Sequence, residues 1–382
     1  MAQRTFPREQ LRFERLDELL ETAVNHYSPS YAEEPATRVF ARYLENAGLP
    51  YQRQPVAGGA ETGGASRANL IVRLGPQPPG LLWMGHVDTV VAVDEEHASA
   101  SVEGGVLYGL GSADMKSGCA AALEAVRAVA ESGAHLKRGL CVALVVGEEE
   151  YGDGADALSE VVSAPLAIIG EPTGLRPCLE HYGYVECELS SAGARAHAAL
   201  PEVGSSAIHA MMDWLLGILN ARRELDRPER IAFNPRAIQG GGDMFAVAER
   251  CHASLDVHFA PGLKRGLIDE VLESSRRESL VRHPGCRLEA EQLYAADGYE
   301  LDSSHVALAP VWAAFEAAGV GTSPAVFRSH SDASPLYANG TIPLVCGPGR
   351  LEVAHTPAEH VMLDEVHRAA ELYTEVFWHV CG

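Results

Sequence analysis

Apolar positions along the chain follow two different rhythms. Over 8–27, Leu16, Leu20, Ala23 and Tyr27 recur at helical spacing, which predicts an amphipathic helix ahead of a turn around Pro29. Short apolar runs then appear at 69–74, 81–85, 140–146 and 166–170, each reading as a strand buried on both faces. Between the second and third, Cys119, Leu123, Val126 and Ala130 mark one face of a helix over 116–131, with Gly133 as its stop. Strands of this kind alternating with helices predict an α/β fold: a mostly parallel sheet flanked by helices.

Around Gly183 the rhythm changes. Val185, Cys187 and Leu189 alternate with Glu186, Glu188 and Ser190, as in a strand with one face on a core. A helix over 205–223, an alternating strand near 254–259, the turn at Pro261-Gly262 and a helix over 263–283 complete a β-α-β-α series. That series suits a smaller α/β sandwich inserted into the larger domain. After about 294 the first texture returns, with a helix over 306–318, a strand over 342–346 and a terminal amphipathic helix over 363–380. The expected division is 1–181 and 295–382 for the larger domain, with 182–294 as the insert.

Composition narrows the possible partners. The 382 residues carry 30 Lys plus Arg against 52 Asp plus Glu, a net charge of −22 that repels phosphate backbones and anionic headgroups, so no nucleic-acid or membrane partner is expected. No apolar run approaches the ~18 residues of a bilayer span. The eight cysteines are scattered without a Cys-x-x-Cys pair, which disfavours a zinc ribbon or a disulfide framework and suggests a reduced, cytoplasmic setting.

Candidate chemistry collects just after the apolar strands, where open parallel sheets bind ligands. The run 81–85 leads into His86-Val87-Asp88, in which the His can ligate a metal and the acid can orient it; a satisfied loop His has the same local signature. Asp114 stands immediately before a helix, where capping is the commoner role of an acid. Glu148-Glu149-Glu150 follows a buried strand, a costly place for like charges unless a cation compensates. Glu171 in Gly170-Glu171-Pro172-Thr173 and His355 in Ala354-His355-Thr356-Pro357 also lie beyond apolar strands. Five such placements are difficult to treat as independent accidents.

The segments GHVDT, GLGSADMKSG, GEEEYGDG, GEPTG and AHTPAEHV, in this order, resemble the zinc-dependent amidohydrolase family of acetylornithine deacetylase, succinyl-diaminopimelate desuccinylase, aminoacylase and glutamate carboxypeptidase. The resemblance covers essentially the whole chain. It implies a dizinc exopeptidase-like catalytic domain interrupted by a ferredoxin-like lid through which the protein forms a homodimer. It further implies that His86 and Glu171 hold one zinc, that Glu149 and His355 hold the other, and that Asp114 bridges them. Glu148 would act as general base on a metal-bound hydroxide, with Asp88 orienting His86. Nitrogen and carboxylate ligands suit zinc, and cobalt or manganese could use the same set.

In the insert, Gly193-Ala194-Arg195-Ala196-His197-Ala198 is similar to the family's lid motif, whose His stabilises an oxyanion in the partner's site. Arg328 or Arg350 could bind a substrate carboxylate through two parallel hydrogen bonds, and a structural role is equally open to either. The chain departs from the family where Phe245 occupies the place of a usual Asn and His258 that of a usual Arg. The expected activity is hydrolysis of an N-acyl amino acid or short peptide-like amide. The alternatives are an exopeptidase of the glutamate carboxypeptidase type and a non-hydrolytic binding protein on the same fold.

Overall fold

A computed structural model describes residues 6–58, 67–95 and 97–382. The first stretch of the chain forms α1 (Phe13–Val24), α2 (Glu34–Asn46), β1 (Tyr51–Pro55), β2 (Ala68–Leu74), β3 (Pro79–His86), β4 (Ser101–Glu103), β5 (Val106–Tyr108), α3 (Lys116–Glu131), β6 (Gly139–Val145), α4 (Asp153–Ser159) and β7 (Leu166–Pro172). There follow β8 (Cys178–His181), β9 (Gly183–Ala192), α5 (Ala207–Arg223), β10 (Ile231–Gly240), β11 (Arg250–Phe259), α6 (Arg265–Arg282), β12 (Arg287–Ala296) and β13 (Tyr299–Glu300). The last stretch holds α7 (Ala309–Ala317), β14 (Ala325–Phe327), α8 (Ala333–Ala338), β15 (Ile342–Gly347), β16 (His360–Met362) and α9 (Leu363–Cys381). Two compact units result: one runs to Leu179 and resumes over Leu301–Ala325 and Ser331–Gly382, and the other comprises Glu180–Glu300 with Val326–His330.

The first unit is built on a sheet of order β1-β2-β6-β3-β7-β15. Its centre is parallel, since β3 pairs with both β6 and β7 and β7 pairs with β15, whereas β1 and β2 join as an antiparallel flank. Parallel pairing has a direct consequence for chemistry. His86 lies opposite Val145 and Met84 opposite Ile169, so the carboxyl ends of β3, β6 and β7 open on one edge. Helix α3 is apolar on nearly every face and almost wholly buried, packed on α9 and the sheet, as expected of a helix in a doubly wound core. A Cβ on Gly118 would come within 2.5 Å of the Gly170 carbonyl oxygen, and its absence lets α3 approach β7.

The amino-terminal helix differs from its periodicity. A 3-10 turn over Pro7–Gln10 ends before α1 begins, and between them the Arg12 backbone N–H donates to Glu124 Oε1 (2.8 Å) on α3. The fully buried Glu124 also receives Arg15 Nε (2.8 Å) and Nη2 (2.6 Å) and the Tyr43 hydroxyl. One carboxylate therefore staples α1 and α2 to α3. Glu124→Ala would leave a backbone amide, a phenol and a guanidinium without their acceptor, and it is expected to destabilise the protein by ~3 kcal/mol in denaturant titration. A loss below ~1 kcal/mol would contradict the staple.

The second unit is a β-α-β-β-α-β sandwich whose antiparallel sheet has the order β10-β11-β9-β12, the ferredoxin-like arrangement. Its core joins Val185, Leu189, Met211, Trp214, Leu255 and Phe259. β10 and β12 are absent from the alternating pattern because both are edge strands, exposed along most of their length and polar in sequence. All eight cysteines are free thiols, and seven of them are buried. Among the described residues no helix is long and apolar enough to cross a membrane.

Candidate metal centre

The apolar run of β3 ends at His86, whose side chain is 1% exposed. Its Nδ1 lies 3.0 Å from the Asp88 carbonyl oxygen, which turns Nε2 to within 3.2 Å of Asp114 Oδ1. The Asp88 carboxylate is engaged elsewhere: Oδ2 accepts the Ser30 hydroxyl (2.8 Å) and the Glu149 backbone N–H (3.0 Å), while Oδ1 stays 3.7 Å from His86 Nδ1. Asp88 thus orients the imidazole through its main chain and fixes the following acidic turn through its side chain.

Asp114 does not cap α3, whose first flanking residue is Met115 with no side-chain cap. Its two carboxylate oxygens face two imidazoles instead, Oδ1 toward His86 and Oδ2 3.5 Å from His355 Nε2. Glu149 Oε1 stands 3.0 Å from the same His355 nitrogen. Glu171 Oε1 and Glu148 Oε2 each lie 3.9 Å from His86 Nε2. The strand ends of the parallel sheet and two loops thereby bring His86, Asp114, Glu148, Glu149, Glu171 and His355 together.

The turn after β6 is tightly specified. Gly147 has φ +78°, and a Cβ there would fall 2.1 Å from Asp153 Oδ1 and 2.5 Å from Arg67 Nη2. Buried Arg67 joins Glu33 (Nη2 to Oε1, 2.8 Å) to Asp153 (Nη2 to Oδ1, 2.9 Å), bracing the turn that carries Glu148 and Glu149. Motif reading missed this ion network because Glu33 and Arg67 are far in sequence from Asp153 and lie outside any strand-end acid pattern.

Electrostatics of the cluster are those of under-compensated negative charge. Burial pushes the Glu148 and Glu171 carboxyls well above the usual range, and their acidic neighbours add to the effect; Asp332 is raised to about 8 in the same way. Burial disfavours a charged His86, yet its hydrogen bond to Asp114 and the charges of Glu148 and Glu171 outweigh that and raise it well above an ordinary imidazole. His355, likewise opposed by burial, is raised to about 9 by Glu149 and Asp114. Lys116 is no counter-ion here, because its Nζ donates to the Ala23 and His26 carbonyls (3.1 Å each). Imidazole nitrogens and carboxylate oxygens around concentrated negative charge are a donor set for divalent cations, and one such atom from each of His86, Asp114 and Glu149 lies within 4.8 Å of the others.

The remaining candidates, Arg350, Arg328 and His197, have surroundings of their own within their units. Arg350 is exposed in the first unit. Arg328 belongs to the second, where Nη2 donates to the Glu229 carbonyl (2.9 Å) and the guanidinium lies 5.8 Å from the Tyr182 ring centroid. His197, also in the second unit, accepts the Ala199 N–H at Nδ1 (3.1 Å) and lies parallel to Phe245 at 6.4 Å. Phe245 itself has φ +59°, a left-handed conformation that a usual Asn would adopt at lower cost.

Comparison with known proteins places the chain in a known group. The model of peptidase family M20/M25/M40 matches residues 82–379. An acetylornithine deacetylase from Proteus mirabilis (strain HI4320) is 29% identical over 365 residues, covering 92% of this chain and 91% of that protein. Among solved structures, a tripeptidase from Staphylococcus aureus subsp. aureus Mu50 has a TM-score of 0.78 at 19% identity, covering 97% of this chain and 99% of the other. Human carnosine dipeptidase 1 has a TM-score of 0.76 at 11% identity, covering 96% and 97%. These two structures share the fold. With a family match over most of its length and a full-length relative, the chain belongs to peptidase family M20/M25/M40 and is a metal-dependent hydrolase acting on amides.

Proposed function

We propose that this protein hydrolyses the amide bond of an N-acyl amino acid or a short peptide-like substrate carrying a free carboxylate, using two divalent ions, zinc in the first instance. The observation that carries the reading is the placement of Asp114, one carboxylate oxygen toward His86 and the other toward His355. In this reading His86 and Glu171 would hold one ion and Glu149 and His355 the second, with Asp114 available to both. Bound there, such ions supply Lewis acidity to a scissile carbonyl and lower the pKa of water.

The protein's own groups do the rest. Glu148, half-buried beside the ligands, accepts the proton of the attacking water and returns it to the departing amine. Asp88 holds His86 and the Glu149 backbone in place. Arg350, exposed in the first unit, is the better-suited anchor for a substrate carboxylate, since Arg328 already serves the Glu229 carbonyl. The second unit is proposed as the lid and homodimer surface, with His197 stabilising the oxyanion, on the likeness of its motif to the family's. The similarity to an acetylornithine deacetylase favours an N-acyl amino acid. A cytoplasmic setting accords with eight unpaired cysteines.

A panel of N-acetyl, N-succinyl and glutamyl amino acids, assayed with and without chelator, tests the proposal. Chelation should abolish hydrolysis and zinc should restore it. Apparent affinity for zinc should also rise with pH up to about 9, because His355 must shed the proton that Glu149 and Asp114 help it hold. Hydrolysis that persists in fully chelated protein would overturn the reading.

A further inference from the structure

We infer that Glu359 is a positioning residue that sets Asp114 against His355 by joining the two loops that carry them. The inference rests on the ligand set proposed above. Glu359 is the sixth residue of the segment AHTPAEHV, in which only His355 has so far been given a task. Its side chain is buried, the residue being 1% exposed, and a single oxygen, Oε1, accepts the backbone N–H of Ala113 (3.0 Å) and that of Asp114 (3.1 Å). A carboxylate receiving these two adjacent amides fixes the peptide planes on both sides of the Ala113 Cα, and the second of those planes sets the N–Cα bond from which the Asp114 side chain departs.

The surrounding backbone makes the same connection. β5 and β16 pair antiparallel, with His360 opposite Tyr108, so Glu359 and Gly109 meet where the ladder ends, and the Gly109 N–H donates to the Glu359 carbonyl (3.1 Å). β5 leads into the Asp114 loop, and β16 follows the His355 loop. At the far side of that loop the Glu359 N–H returns to the Thr356 carbonyl (3.0 Å). His355 has φ +60°, a conformation that a non-glycine residue keeps only when its surroundings hold it. Glu359 is tied to the Asp114 loop by its carboxylate and to the His355 loop by its backbone N–H, and it sits four residues from that histidine.

The test uses the full chain, freed of metal and titrated with Co2+ by calorimetry and visible absorption. Glu359→Gln keeps an oxygen acceptor for the two amides; Glu359→Met keeps the bulk and removes the acceptor. The expected result is that the parent and Glu359→Gln bind two Co2+ with affinities within about threefold, whereas Glu359→Met binds at least one ion ~10–100-fold more weakly, the usual cost of losing a ligand's support. Amide hydrogen exchange over 109–115 should quicken in Glu359→Met, with or without Co2+. If Glu359→Met does not fold, Glu359→Asp, which withdraws the carboxylate by one methylene, replaces it in the comparison. Unchanged Co2+ affinity and exchange in a folded acceptor-free or shortened variant would overturn the inference while leaving the metal reading standing. Failure of the parent protein to bind Co2+ would overturn both.

Discussion

Glu148→Gln is expected to retain its metal and lose its turnover. The amide matches the carboxyl in size and keeps an acceptor oxygen, but it cannot take a proton from water and return it to an amine. A general acid–base group contributes ~10²–10⁴-fold, and since the same carboxyl is proposed to serve both transfers, kcat should fall by ~10³-fold or more, about 4 kcal/mol of barrier. KM and bound zinc should change little, because Glu148 Oε2 lies 3.9 Å from His86 Nε2 without being one of the five proposed ligands. Burial raises the Glu148 carboxyl, so the folded metal-free protein binds its proton more tightly than the unfolded chain does, and ionising it costs stability as pH rises. Metal-free Glu148→Gln should accordingly melt no lower than its parent at neutral pH. A kcat within tenfold of the parent would remove Glu148 from the chemistry.

Asp114→Asn should have its largest effect on metal content. The substitution keeps the shape that faces His86 and His355 but removes the one charge placed between them. Losing a supporting residue behind a ligand costs ~10–100-fold in affinity, and losing a shared ligand should exceed that for at least one ion. Bound zinc is expected to drop from two ions per chain to one or none after dialysis against buffered low zinc, and hydrolysis to fall at least ~10³-fold with it. Two ions retained at parental affinity would show that Asp114 does not bridge.

These expectations trace back unevenly to the primary sequence. That His86, Glu149 and Glu171 would approach one another was legible, because each follows an apolar run long enough to be a buried strand, and parallel strands present their carboxyl ends on one edge. Asp114 and His355 were legible through their motifs. Glu359 was not, since an acid in a loop looks the same whether it faces water or two amides. The role of Asp88 was only half visible: periodicity places it beside His86, but which of its oxygens reaches the ring depends on the path of the main chain.

Secondary structure shows a similar division. α3 begins and ends where its apolar face predicts, because burial on nearly every side leaves a clear signal. The predicted helix over 8–27 was interrupted by Glu124, more than a hundred residues away, and no local pattern encodes such a competitor for a backbone amide. β10 and β12 escaped notice because an edge strand needs little apolar surface, and Pro235 in β10 sits beside a register shift that an interior strand would not tolerate. The run Val326–His330, which belongs to the second unit, carries no compositional mark of that membership.

The buried thiols supply built-in clocks for the two units. Cys119, Cys141, Cys346 and Cys381 report on the first and Cys187 and Cys251 on the second, and burial both shields them and holds their thiolates scarce, with Cys119 and Cys141 raised to about 12. Alkylation followed by mass spectrometry would therefore register each unit's opening separately, without introducing a single foreign label, and would show whether the metal-bearing unit or its companion opens first as denaturant is added.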